Sequence, residues 1–177
     1  SLHEAIPESR RRLKRDPITS LGMTETAGPH TVAPYDLPAD MRGSFGPPIR
    51  GMEHRIVDLE SRREVAPGER GELLLRGDCL MLGFVKRERH ETFERDGWYR
   101  TGDLCSFRNG HLFFHGRVDD MIKTAGANVS PQEVEVALSG LPGVAQAFVA
   151  GVPDDVRGSI VAAIVVPVAG TNPDADG

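Results

Sequence analysis

The sequence predicts an α+β protein in two unequal parts: a β-rich, barrel-like stretch of hairpins joined to a small unit of strands and one helix. Three observations carry this. Residues from Gly43 to Gly77 alternate apolar and polar between turn signals. Gly110 to Arg117 repeats the alternation after an Asn-Gly turn. Ser130-Pro131-Gln132-Glu133 then reads as a helix start, followed by two apolar, β-branched runs, Val144 to Val152 and Ser159 to Val168.

Composition narrows the class. The 177 residues are 39% hydrophobic and 27% charged, ordinary for a folded chain. A net charge of −5 and a pI near 5.7 supply no field for nucleic acid or an anionic membrane. No apolar run approaches the ~18 residues of a transmembrane segment and no N-terminal run has a secretory pattern, so a cytoplasmic location is expected. Cys79 and Cys105 form no C-x-x-C pair and read as reduced structural thiols. His111 and His115 share a strand face, but two ligands without a third make no metal site.

In chain order, the basic cluster Arg10, Arg11, Arg12, Lys14 and Arg15 reads as a solvated helix face, with phosphate contact as the alternative, and Pro17 ends that helix. Ile18 to Leu21 is a short strand feeding Gly22. In LGMTETAG, Gly22 permits a tight turn, Thr24 offers a hydroxyl to a phosphate oxygen and Glu25 offers a hard oxygen to Mg²⁺, although Thr-Glu is equally a common helix start. Pro34 to Arg42 is a loop. Met52, His54, Ile56 and Asp58 alternate with Glu53, Arg55, Val57 and Leu59, turns fall at Glu60-Ser61 and Ala66 to Glu69, and Glu72 to Arg76 is a strand. A short helical candidate lies near Glu88 to Phe93. Gly102 can adopt φ > 0, so a sharp turn there would present the Asp103 carboxylate outward to paired hydroxyls such as a ribose; the alternative is a turn closed through its own backbone. Arg117 ends a strand, where its fork of donors reaches either a ligand or a surface carboxylate. Ser130 as N-cap, Pro131 as first helical residue and Glu133 form a capping box; Val134, Ala137, Leu138 and Leu141 supply the apolar stripe and Gly140 the stop.

These residues carry a family resemblance. WYRTGDL, GRVDDMIK and GANVSPQEVE, preceded by LGMTET at Leu21 to Thr26 and GELLLRG at Gly71 to Gly77, resemble consecutive core motifs of the adenylate-forming superfamily of acyl-CoA synthetases, peptide-synthetase adenylation domains and beetle luciferases. The resemblance implies that 1–42 ends a large nucleotide-binding domain, 43–117 is a β-rich subdomain and 118–177 is a small, mobile, truncated C-terminal domain. It implies Thr24 on the AMP phosphate, Glu25 on magnesium, Asp103 and Arg117 on the ribose, Lys123 among the catalytic residues, Gly126 in the nucleotide site and Asp119 as the hinge. Leu21 stands where the family usually carries an aromatic residue against adenine, which leaves dispersive contact without a flat platform. GELLLRG is structural.

The implied activity is that of an ATP-dependent, AMP-forming acid–thiol ligase, which activates a carboxylic acid, with a fatty acid favoured, as acyl-adenylate and transfers it to coenzyme A. ATP or AMP, Mg²⁺ and coenzyme A are the expected cofactors, and small molecules rather than nucleic acid the partners. The family's Ser/Thr/Gly-rich phosphate loop and its C-terminal lysine do not occur in the sequence. The expectation is therefore a fragment, inactive alone, whose further partner is the missing part of its parent chain. NVSPQEVE resembles acyl-CoA synthetases more than peptide synthetases. A carrier-protein-loading adenylation domain and a non-catalytic nucleotide-binding or partner remnant are the alternatives.

Overall fold

The computed structural model describes residues 11, 12, 14 and 17–171, which fall into two units, one ending at Phe114 and one beginning at His115. Of the predicted basic face, Arg11, Arg12 and Lys14 are exposed, while Arg10 and Arg15 lie outside the described residues, as do residues 172–177 of the final turn-like segment.

In the first unit, β1 (Ser20–Met23) and β2 (Gly28–Val32) pair antiparallel around a single 3-10 turn at Thr24–Thr26. The Thr-Glu helix start stops after this one turn. Thr26 closes it, accepting from the Met23 N–H at 3.3 Å and lying 2.6 Å from the Gly28 carbonyl oxygen as donor, and Ala27 at φ +55° turns the chain into β2. The two strands approach so closely that a Cβ on Gly22 would lie 2.5 Å from the Gly28 oxygen.

Four strands form the main sheet in the order β3-β4-β5-β6: β3 (Met52–Val57), β4 (Gly71–Gly77), β5 (Tyr99–Arg108) and β6 (His111–Arg117). The sheet is open, and the barrel-like closure expected of the hairpins does not form among the described residues. Asn109 and Gly110 both take positive φ, the requirement of the tight turn that joins β5 to β6. The period-2 pattern divides the apolar residues between two faces. Met52, Ile56, Leu73, Leu75, Cys105 and Leu112 form one core, and Val57, Leu74 and Trp98 a second. The helical candidate near Glu88 is one 3-10 turn, Arg89–Glu91.

Over the second core lies a charged layer. Arg55 and Arg76 stack on Trp98, 4.3 and 4.6 Å from the ring centroid, and Arg76 forks onto Glu53 at 3.0 and 2.7 Å. Glu72, only 3% exposed, is gripped by Arg62 and Arg100. Burial disfavours its charge, but the Arg100 and Arg62 hydrogen bonds outweigh burial and hold the carboxyl below its ordinary value.

In the second unit, β7 (Ile122–Thr124) and β8 (Ala127–Val129) form a small hairpin, joined by a turn at Ala125 (φ +48°) and Gly126 (φ +83°). Helix α1 (Pro131–Ser139) packs on the hairpin of β9 (Val144–Asp154) and β10 (Gly158–Pro167), burying Ala147 and Val149. Glu135 Oε1 accepts the Val149 N–H at 2.9 Å. The expected stripe is only partly covered: Val134 and Leu138 are half-buried, whereas Ala137 and Leu141 are exposed. The capping box does not form. Ser130 occupies the N-cap position, yet its hydroxyl donates to the His115 carbonyl at 3.1 Å. Gly140 ends the helix at φ −80°, without entering the left-handed region. No helix among the described residues is long and apolar enough to cross a membrane.

Replacing Glu72 by Ala strands two arginines that each retain partial access to water, so the expected loss is about 1–3 kcal/mol in urea unfolding with an unchanged m-value. Because its folded-state pKa is depressed, that contribution is present above the unfolded value of 4.5 and fades as pH falls below it, so variant and parent should converge in acid.

Candidate functional site

The candidate residues sit where regular structure is interrupted. Thr24 is exposed and Glu25 half-buried on the 3-10 turn between β1 and β2. The Glu25 carbonyl accepts the Met81 N–H at 2.8 Å, which anchors this turn to the segment after β4. Leu21 is half-buried and packs with Met23 against the core that contains Cys105. Its side chain is therefore committed in part to the interior, and its N–H donates to Thr31 Oγ1 at 3.2 Å.

Asp103 lies differently from the expectation. Gly102 does take φ +71°, but the chain makes no turn there: the residue belongs to a bulge inside β5, and Asp103 is 4% exposed. Glu72 pairs with Leu104 while Leu74 pairs with Arg100, so β5 carries the extra residues. Thr101 repairs the interrupted ladder, its hydroxyl donating to the Leu73 carbonyl at 2.8 Å and accepting the Asp103 N–H at 3.0 Å. Burial, and then the nearby Asp103 charge, push the Cys105 thiol up, which keeps it protonated and inert.

In the second unit, Arg117, Asp119, Lys123 and Gly126 share one short segment and all are exposed. Arg117 is the last residue of β6. Gly116 before it is buried at φ +127°, a conformation closed to other residues, and so directs where the arginine leaves the sheet. Lys123 is on β7, and Gly126 tips the hairpin with open space around its α-carbon. Taken unit by unit, Thr24 donates and Glu25 and Asp103 accept in the first, and Arg117 and Lys123 donate in the second, in each case chemistry suited to a phosphorylated, hydroxylated ligand. No group of three His, Cys, Asp or Glu that could hold a metal occurs among the described residues. A divalent ion at Glu25 would need to complete its shell with oxygens of that ligand.

The sequence matches the family of AMP-binding enzymes over residues 3–85 and the AMP-binding enzyme C-terminal domain over residues 133–176. It is 37% identical over 153 residues to sulfoacetate–CoA ligase of Cupriavidus necator, covering 84% of this chain and 30% of that protein. It is 38% identical over 162 residues to feruloyl-CoA synthase of an Amycolatopsis species, covering 90% and 33%. Among solved structures, ATP-bound MatB from Rhodopseudomonas palustris superposes with a TM-score of 0.87 at 31% identity, over 97% of this chain and 34% of that one. The o-succinylbenzoate CoA synthetase of Bacillus subtilis with its acyl-adenylate OSB-AMP gives 0.81 at 30% identity, over 96% and 35%. The chain thus spans about a third of the length of these relatives.

One cluster was invisible in the sequence. His30 on β2 and His54 on β3, 24 residues apart, bring Nδ1 and Nε2 within 3.2 Å, their rings edge to face, with Phe107 beyond. Their other ring nitrogens, His30 Nε2 and His54 Nδ1, are buried without a partner. No spacing rule links them: β2 and β3 belong to different sheets, and only the tertiary fold brings the two rings together. Burial lowers His30 to about 4, and burial followed by the His30 charge lowers His54 to about 3. Both folded-state values lie below the ordinary 6.5, so the unfolded chain takes up protons first as pH falls. Stability present above pH 6.5 is then lost toward pH 4, each proton contributing about 1.4 kcal/mol per pH unit. Melting temperature should fall steadily from pH 6.5 to 5, above the carboxylate range, and a His30→Gln/His54→Gln variant should show a flatter profile.

Proposed function

Because this chain belongs to the adenylate-forming superfamily of AMP-binding enzymes, we propose that it is the nucleotide-gripping part of an ATP-dependent, AMP-forming acid–CoA ligase. The observation that carries the reading is the Thr24–Glu25 turn, raised between two strands in van der Waals contact at Gly22 and tied by its backbone to Met81. A rigid turn that offers a hydroxyl and a carboxylate side by side suits a phosphate and its Mg²⁺. When bound, ATP would supply its adenylyl group to the carboxylate of an acid, with pyrophosphate leaving, and the thiol of coenzyme A would then attack the acyl carbon of the acyl-adenylate to form the thioester, with AMP leaving.

In this reading Thr24 orients the phosphate, Glu25 completes the magnesium shell, Asp103 and Arg117 hold the ribose hydroxyls, Lys123 is among the catalytic residues and Gly126 belongs to the nucleotide site. Asp119, just past the end of β6, is the hinge for a change of arrangement between the two half-reactions. The names of the relatives carry sulfoacetate, ferulate, coumarate and 2-succinylbenzoate, so a fatty acid is one of several acids that a substrate screen must include. The two unpaired cysteines are compatible with a cytoplasmic setting.

Calorimetry with AMP tests the grip. The chain should bind, and Arg117→Ala and Asp103→Asn should each weaken binding about tenfold or more, as expected for a lost charge-assisted contact of about 1.5–3 kcal/mol. Arg117 is exposed, so its variant separates loss of binding from loss of fold. Absence of binding by the unaltered chain at millimolar AMP sinks the proposal. A second expectation follows from the missing phosphate loop and terminal lysine: acid-dependent exchange of pyrophosphate into ATP by this chain alone should stay at background. Exchange above background would show that the groups present suffice.

A further inference from the structure

Between Gly116 and Val129 the chain leaves β6, forms the β7–β8 hairpin and returns, and this excursion carries Arg117, Asp119, Lys123 and Gly126. Its ends are joined by the Ser130 hydroxyl, which donates to the His115 carbonyl at 3.1 Å across 15 residues of chain. Ser130 is 3% exposed, so water competes poorly for this bond. Gly116 lies directly against it: a Cβ there would sit 3.6 Å from Ser130 Oγ and 3.4 Å from Gln132 Oε1. The residue occupies the N-cap of α1, where Ser ordinarily accepts from the first turn of its own helix, yet no such cap bond forms.

We infer that Ser130 is a positioning residue: the tip of the 116–129 excursion is held by the Ala125 N–H on the Arg157 carbonyl, and the Ser130 hydroxyl closes its base and thereby sets where Arg117 and Asp119 are presented relative to the hairpin that carries Lys123 and Gly126. The inference rests on the nucleotide-binding reading for its functional consequence, but not for the clasp itself. The two partners lie on opposite sides of Asp119 in the chain, so any rotation at Asp119 must stretch or break the bond. Ser130 would then both align the segment and hold one of its arrangements.

The competing role is that of an ordinary helix cap, and chemistry separates the two. Asp is among the strongest N-cap residues, but at neutral pH it has no proton to give the His115 carbonyl and sets its lone pairs against it. Ser130→Ala, Ser130→Asp and Ser130→Thr are compared in the full chain by amide hydrogen exchange and by calorimetry with AMP. For a clasp, Ala and Asp should both speed exchange of the 117–129 amides about fivefold or more, the first-turn amides of α1 should be as slow or slower with Asp, and Thr should behave as the parent. The same two variants should weaken AMP binding several-fold, and Thr should restore it. If Asp protects the 117–129 segment as well as Ser does, Ser130 is a cap and the inference fails. If the segment loosens with Ala and Asp while AMP affinity stays unchanged, the clasp stands but its positioning role is overturned. If the unaltered chain binds no AMP, it is the nucleotide reading that fails, and the exchange pattern still decides the clasp.

Discussion

The first unit depends on β4. Leu73, Leu74 and Leu75 are at most 1% exposed, two toward one core and one toward the other, so this strand is buried on both faces and reads as a continuous apolar run instead of an alternation. The glycines that bound it matter as much as the leucines. A Cβ at Gly71 would lie 2.3 Å from the Val57 oxygen and one at Gly77 2.1 Å from the Gly51 oxygen. The neighbouring backbone is therefore drawn against β4 at both ends. That close approach holds the register Ile56↔Leu73, and a slip of one residue would exchange the two cores.

The same constraint explains where Asp103 goes. With Leu73 and Leu74 held in their cores, β4 cannot shift to follow β5, so the mismatch between them is absorbed by β5 alone. Gly102 takes the positive φ, and Thr101 supplies by its hydroxyl the partner that the Leu73 carbonyl loses from the ladder. Without that hydroxyl a buried carbonyl would go unsatisfied. The bulge is thus paired on both sides, and the carboxylate it re-aims is inside the protein before any ligand arrives. A ribose held there would meet a group already fixed in place.

What could be read in the sequence was local. Asn109-Gly110 announced its hairpin because only such residues tolerate two successive positive φ values, and Pro131 announced a helix because its fixed φ suits the first helical position. The two long strands of the second unit were legible from β-branched runs: the structure extends the first to Asp154 and moves the second one residue earlier, to Gly158–Pro167. What could not be read was decided by groups distant in sequence. Ser130 has every local reason to cap α1, yet a carbonyl 15 residues earlier takes its proton. Thr24-Glu25 looks like a helix start, but contact between Gly22 and Gly28 closes a hairpin after one turn. Leu141 fits the apolar stripe, and only the end of α1 two residues before it leaves it in water. The openness of the sheet is of the same kind, since closure depends on strands that alternation alone cannot place.

The candidate residues of the two units are held by constraints of different strength. In the first, Gly22, Gly71 and Gly77 meet backbone at distances no side chain could share, and a hard contact of that sort yields only if the sheet comes apart. Thr24, Glu25 and Asp103 are mounted on that frame. In the second, the hairpin bearing Lys123 and Gly126 is tied to the β9–β10 hairpin by the Ala125 N–H on the Arg157 carbonyl, but across Asp119 the segment is closed at its base by a neutral hydrogen bond, worth about 0.5–1.5 kcal/mol net. An increment of that size changes an equilibrium by only a few-fold to about tenfold. It is small enough for the binding or release of a nucleotide to reverse, because a ligand moves an equilibrium by no more than its difference in affinity for the two states. A hinge at Asp119 secured by packing as tight as that around β4 could not be moved by such a ligand. One secured by a serine hydroxyl could.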